Sequence, residues 1–138
     1  MDLTAHHFAV TVSDLDESVA FYRDVLGLEI LTRFSVGGDA FATGVGIDGA
    51  SADFAHMDAG DARVELVEYT PEGDDCDDVQ LHQPGATHLG LEVEDIESVY
   101  ASLPDDVETI AEPQKTESGT TILFVRDPDG TLVELLEL

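Results

Sequence analysis

Positive charge is scarce in this chain. Lys and Arg together number 5, against 31 Asp and Glu in 138 residues, for a formal net charge of −26. With no basic patch, nucleic-acid binding is excluded as an expectation. Cysteine is nearly absent as well. The single Cys76 lies in an acidic stretch and has no partner in the chain for a disulfide, which reads as a reducing cytoplasm. No apolar run approaches membrane-spanning length. The opening MDLTAHHFAV has no basic region ahead of an apolar one, so it is not read as a signal peptide. These absences predict a cytoplasmic protein that acts on neither nucleic acid nor membrane, with a small molecule as the remaining partner.

What is present is a globular composition. Hydrophobic residues make up 43% of the chain, and the length suits one domain with a real core. Such an acid excess is one signature of disorder, but the apolar strands described below argue against it. The alternative is a folded protein with a strongly acidic surface. That pattern resembles proteins of salt-loving organisms. In roughly 1 M salt the Debye length shrinks to about 3 Å, and the self-repulsion is largely screened.

Residues 7–12, HFAVTV, read as a strand. SDLDESVAFYRDVLG reads as a helix: Ser13 or Asp14 can cap it, Leu15, Val19, Tyr22 and Leu26 recur at helical spacing, and Gly27 ends it. Residues 29–36 predict a strand. The glycine-rich segment 37–50 predicts a loop, and 52–57 and 62–69 predict two strands around a turn at Asp58–Asp61. The polar, acidic 70–85 predicts a linker. Beyond it come a strand at 87–93, a helix ended by Pro104, a short strand at 107–110, a strong strand at 120–126, a DPDG turn at 127–130, and a last strand, LVELLEL. Each half therefore reads βαβββ.

The halves also match in sequence. Placing His7 on His88, an offset of 88 − 7 = 81, lays HFAVTVSDLD over HLGLEVEDIE without a gap. Placing Glu65 on Glu134, an offset of 134 − 65 = 69, lays RVELVEY over LVELLEL. The chain is thus read as one domain, 1–138, built from a duplicated unit: module one at about 5–69, the linker at 70–85, and module two at about 86–138.

Strand alternation puts His7 on one face with Ala9 and Thr11, and His88 with Gly90 and Glu92. Phe8, Val10 and Val12, like Leu89, Leu91 and Val93, take the other face, which should cover the following helix. Glu65 shares a face with Val67 and Tyr69, and Glu134 with Leu132, Leu136 and Leu138. A carboxylate among leucines is costly unless it is paired or binds a metal. Two histidines and two glutamates at equivalent places in a repeat suggest one constellation, and imidazole with carboxylate suits Zn, Mn, Fe, Co or Ni.

HFAVTVSDLDESVAFYRDVLGLEI, ARVELVEY, THLGLEVEDIE and RDPDGTLVELLEL, which span nearly the whole chain, resemble the vicinal oxygen chelate superfamily. That superfamily includes glyoxalase I, methylmalonyl-CoA epimerase, extradiol dioxygenases and bleomycin-resistance proteins. The resemblance implies an α+β fold in which two tandem βαβββ modules form a curved mixed sheet around a central cavity. It implies one divalent metal ion held by His7, Glu65, His88 and Glu134, and a homodimer, since short chains of this kind usually pair. The four-ligand set favours a glyoxalase I-like lyase or isomerase that stabilises an enediolate by chelating two neighbouring substrate oxygens. Glu134, then Glu65, would be the proton-moving group. Two other classes remain open: an iron-dependent extradiol-type dioxygenase, for which a fourth ligand is a hindrance, and a metal-free binding protein, which typically lacks the ligands.

Bland readings apply elsewhere. Glu68 and Glu137 match each other but alternate to the face opposite Glu65 and Glu134, as solvated or paired surface groups. His6 is expected to face away from His7. His56 and His82 have no partner in the repeat and stay outside the constellation, and Cys76 reads as an incidental loop thiol. For an anionic substrate the candidate contacts are Arg33, Lys115 and Arg126, with Arg23 on the outside of its helix.

Overall fold

The computed structural model describes residues 1–76 and 79–138; positions 77 and 78, inside the expected linker, lie outside them. The chain divides into two compact units, Met1–Asp75 and Cys76–Leu138. Among the described residues no helix is long and apolar enough to cross a membrane.

The first unit runs β1 (His7–Thr11), α1 (Leu15–Ala20), β2 (Ile30–Val36), α2 (Asp39–Val45), β3 (Ser51–Asp58) and β4 (Arg63–Thr70). Its sheet order is β1-β4-β3-β2, with β1 parallel to β4 and the other pairs antiparallel. Asp14 starts α1, its Oδ1 accepting from the Glu17 N–H at 3.1 Å. The helix continues into a wider turn over Phe21–Val25, where the Leu26 N–H reaches back five residues to the Phe21 carbonyl. Gly27, at φ 77°, then ends it in a conformation that L side chains rarely adopt. The helix packs its buried Leu15 and Val19 toward a sheet face bearing the buried Val64 and Leu66.

One expectation fails in this unit. The glycine-rich segment 37–50 is not simply a loop, because α2 forms inside it. Its glycines mostly sit at the edges. Gly38 (φ 97°) precedes the helix and Gly46 (φ 73°) follows it in the left-handed region, while Ala40, Phe41 and Ala42 carry the turn between them. Packing supplies the rest, since the Phe41 ring meets Phe54 and Tyr69, each at a centroid distance of 6.2 Å.

The second unit repeats the plan as β5 (Leu89–Glu92), α3 (Ile96–Ser102), β6 (Gln114–Lys115), β7 (Thr121–Arg126) and β8 (Leu132–Glu137), with sheet order β5-β8-β7-β6. The expected strand at 107–110 is reduced to a single bridge, Thr109 with Val125. Its backbone bonds β7 through the Glu108 carbonyl and the Ile110 N–H. Pairing resumes as β6 only after Pro113, which has no N–H to offer. The order βαβββ survives with a shorter second strand placed later. The DPDG turn forms around the buried Asp127, whose Oδ1 accepts from the N–H groups of Asp129 and Thr131 at 3.0 and 2.9 Å.

Glu68 and Glu137 do lie on the helix-covered faces, but they are not merely surface charges. Glu68 Oε2 accepts from the Leu15 N–H at 2.9 Å, and Glu137 Oε2 from the Ile96 N–H at 2.8 Å. Each end strand thus satisfies the first N–H of the helix packed on it, where a negative charge is also favoured by the helix dipole. The separations, 96 − 15 = 81 and 137 − 68 = 69, are those of the sequence repeat.

Candidate metal centre

The parallel pairing at each sheet edge places histidine beside glutamate. In the first unit Ala9 stands opposite Glu65, and in the second Gly90 stands opposite Glu134. His7 and His88 each lie two residues earlier on that face, so the two units have the same stagger. The result is a His–Glu pair in each: His7 Nε2 is 3.7 Å from Glu65 Oε1, and His88 Nε2 is 3.1 Å from Glu134 Oε2. Among the described residues no group of three or more His, Cys, Asp or Glu side chains is held together in metal-binding fashion. What each unit presents is a pair.

Those distances can be compared with what a shared ion requires. Nitrogen and oxygen ligands at about 2.1 Å from one ion lie about 3.0 Å apart at a right angle and about 3.4 Å apart at the tetrahedral angle. The pair in the second unit falls in that range, and the pair in the first unit is a few tenths of an ångström wider. The second pair is in direct hydrogen-bond contact as it stands, and its spacing, unlike that of the first pair, also matches two ligands of one ion.

The surroundings of the two glutamates differ. Glu65 is the more enclosed, its side chain 13% exposed against 22% for Glu134. Across the β3–β4 pairing, Glu65 stands opposite His56. That histidine is only 5% exposed, and its Nε2 lies 2.6 Å from Glu65 Oε2. The Arg63 guanidinium reaches its other nitrogen, Nδ1, at 3.3 Å. The residue opposite Glu134 is Phe124, whose ring packs against His88 at 5.2 Å. His56 has no counterpart in the repeat, so the repeat gives no signal for it. A turn at Asp58–Asp61 would set 56 against 63; the hairpin instead turns at 59–62, with Asp58 opposite Arg63, and this register is what brings His56 to Glu65. His6 also departs from expectation. It precedes β1, so strand alternation does not govern it, and its Nδ1 meets His7 Nδ1 at 2.8 Å.

The face that carries Glu65 is otherwise apolar. Ala52, Phe54 and Val67 form a buried cluster with Val36, Phe41 and Tyr69 packed against it. Phe34 stacks on Phe54 at 4.9 Å and meets His56 edge-on at 5.2 Å.

The remaining candidates are dispersed. Arg33 lies opposite Ala55 on the helix-covered face, and its guanidinium binds Asp16 at 2.7 Å. Arg126 donates to the Gly130 carbonyl at 3.1 Å and lines a cleft of about 750 Å³ in the second unit, together with Cys76, Leu81 and Thr131. Lys115 is exposed on β6, and Arg23 is exposed and paired with Asp24. His82 is exposed in the connection ahead of β5, and Cys76 is a free, exposed thiol.

Comparison with known proteins adds the following. The family model described as "Glyoxalase/Bleomycin resistance protein/Dioxygenase superfamily" matches residues 4–135. A probable lactoylglutathione lyase of Synechocystis is 32% identical over 133 residues, covering 95% of this chain and 92% of that protein. A lactoylglutathione lyase of Haemophilus influenzae is 36% identical over 138 residues, covering 95% and 90%. The crystal structure of a glyoxalase family protein from Bacillus cereus superposes with a TM-score of 0.87 at 24% identity, covering 99% of this chain and 95% of that one, a likeness of fold.

Proposed function

Since the chain belongs to the glyoxalase/bleomycin resistance protein/dioxygenase superfamily, we propose that it is a divalent-metal-dependent lyase or isomerase of the glyoxalase I-like type. In this reading His7, Glu65, His88 and Glu134 hold one ion (nickel, cobalt, manganese, zinc or iron). The observation that carries the proposal is the repetition of the His–Glu pair at the same strand stagger in both units, at 3.7 and 3.1 Å. Two relatives named lactoylglutathione lyase support the reaction class.

When bound, a divalent ion supplies Lewis-acid polarisation of two neighbouring substrate oxygens. The protein's own groups do the rest. His7 and His88 offer neutral nitrogens. Glu65, the more enclosed carboxylate, stays in place as a ligand. Glu134 takes a proton from one substrate carbon and returns it to the next, as a positioned general base and then acid. The wall formed by Phe34, Phe54, Phe41 and Tyr69 excludes water and receives the apolar part of a small-molecule substrate. Of the cations suggested for an anionic substrate group, Lys115 and Arg126 remain the candidates, because Arg33 is already engaged by Asp16. The working form is a homodimer in a salt-rich cytoplasm.

The test is metal analysis of protein purified in high salt, followed by a screen of thiol and coenzyme A adducts. Glu134→Gln is expected to keep the ion and lose turnover. Turnover unchanged in Glu134→Gln would remove that residue's role, and a wild type that binds no divalent ion would remove the proposal.

A further inference from the structure

The duplicated pairs are not equal, and His56 is what makes them differ. We infer that His56 is a positioning residue that fixes Glu65 and aims its second carboxylate oxygen at His7; the inference rests on the metal-dependent reading above.

Donor chemistry assigns the hydrogen on its ring. A guanidinium has donors only, so the Arg63 contact at 3.3 Å makes His56 Nδ1 an acceptor. The ring hydrogen of the neutral imidazole is then on Nε2, and it is donated to Glu65 Oε2 at 2.6 Å. With Oε2 occupied, the oxygen that Glu65 presents toward His7 is Oε1. The His56 ring cannot easily swing aside, because it is 5% exposed and has Phe34 at 5.2 Å and His7 at 5.9 Å. The corresponding place opposite Glu134 is taken by Phe124, which has no donor. Among the described residues, His88 is the side chain that holds Glu134. Glu65 is therefore held by His56 in addition to facing His7, whereas Glu134 is held by His88 alone.

The first readout needs no metal. In the metal-free wild type, imidazole nitrogen NMR should show His56 as the Nε2–H tautomer; an Nδ1–H tautomer would overturn the inference. The second readout is calorimetric titration with nickel chloride and zinc chloride. His56→Phe, which copies the second unit, should weaken binding by roughly 10–100-fold, in line with loss of a group that orients a ligand. His56→Gln, which restores a side-chain N–H, should recover most of that loss. A His56→Phe protein that binds as tightly as wild type would overturn the inference and leave the metal-dependent reading standing. A wild type that binds neither ion would overturn both.

Discussion

Replacing Glu137 or Glu68 by alanine should destabilise the protein without touching the metal, whereas the same change at Glu134, three residues before Glu137, should do the reverse. The reasoning is local. Glu68 and Glu137 accept from the Leu15 and Ile96 N–H groups at 2.9 and 2.8 Å, and both of those residues are buried. A hydrogen bond to a charged group contributes about 1.5–3 kcal/mol, and removing the acceptor leaves a helix N–H without a partner. Taking about 2 kcal/mol for each, a chain of this size should lose roughly 6–12 °C in Tm. The glutamine variants keep an acceptor and lose the charge, so their loss should be about half as large. Differential scanning calorimetry in molar potassium chloride measures this, with metal content determined on the same samples. Glu134→Ala, on the opposite face, should release the ion while the metal-free protein melts close to wild type; Glu65→Ala should release it too but also lower the Tm, because the buried His56 Nε2–H loses its acceptor. If Glu68→Ala and Glu137→Ala melt like wild type, or if they shed the ion, the division of labour between the two faces is refuted.

Three further outcomes follow from charge, capping and register. With a net charge of −26, the Tm should climb steadily from dilute buffer to molar potassium chloride, and a flat response would contradict the acidic-surface reading. The Ser98 backbone N–H, and then its hydroxyl, hold the Asp95 carboxyl below its ordinary pKa. Its contribution is thus fully present above the unfolded value of about 3.9 and is lost as pH falls through the lower folded value, so Asp95→Asn should flatten the acid limb of a Tm-against-pH curve. At Gly90 an added Cβ would meet Glu134 Oε2 at 3.7 Å and Leu136 Cδ2 at 3.8 Å, which is ordinary contact. Gly90→Ala, which copies Ala9 of the first unit, should therefore keep metal affinity by calorimetric titration, and loss of the ion would refute the equivalence of the two pairs.

Alternation made the strands and their faces readable. In HFAVTV the large apolar residues Phe8, Val10 and Val12 take every second place, and in LVELLEL alternation sets Val133, Leu135 and Glu137 on the face opposite Glu134; the buried Val10, Val133 and Leu135 fall on the side expected. The repeat then picked out His7 with Glu65 and His88 with Glu134. The same attention to repetition hid His56, which exists in only one unit and is revealed by pairing across a hairpin. It also hid the work of Glu68 and Glu137, since whether a repeated glutamate is solvated or reaches a helix N–H depends on the height of the helix above the sheet, and local sequence does not carry that. The α2 helix was obscured because glycine lowers helix propensity, while packing of Phe41 on Phe54 and Tyr69 decides the matter. The strand expected at 107–110 gave way for the converse reason: its residues suit a strand, but only two backbone bonds and one bridge tie it to β7.

The most direct test of the central claim is a nickel titration of the metal-stripped protein in molar potassium chloride, run on wild type, His7→Ala, His88→Ala and a His82→Ala control. One ion per chain in the wild type, strongly weakened by loss of either His7 or His88 and unaffected by loss of His82, is the predicted result. An ion bound equally well without His7 or without His88 would contradict the claim that the two repeated His–Glu pairs form one metal centre.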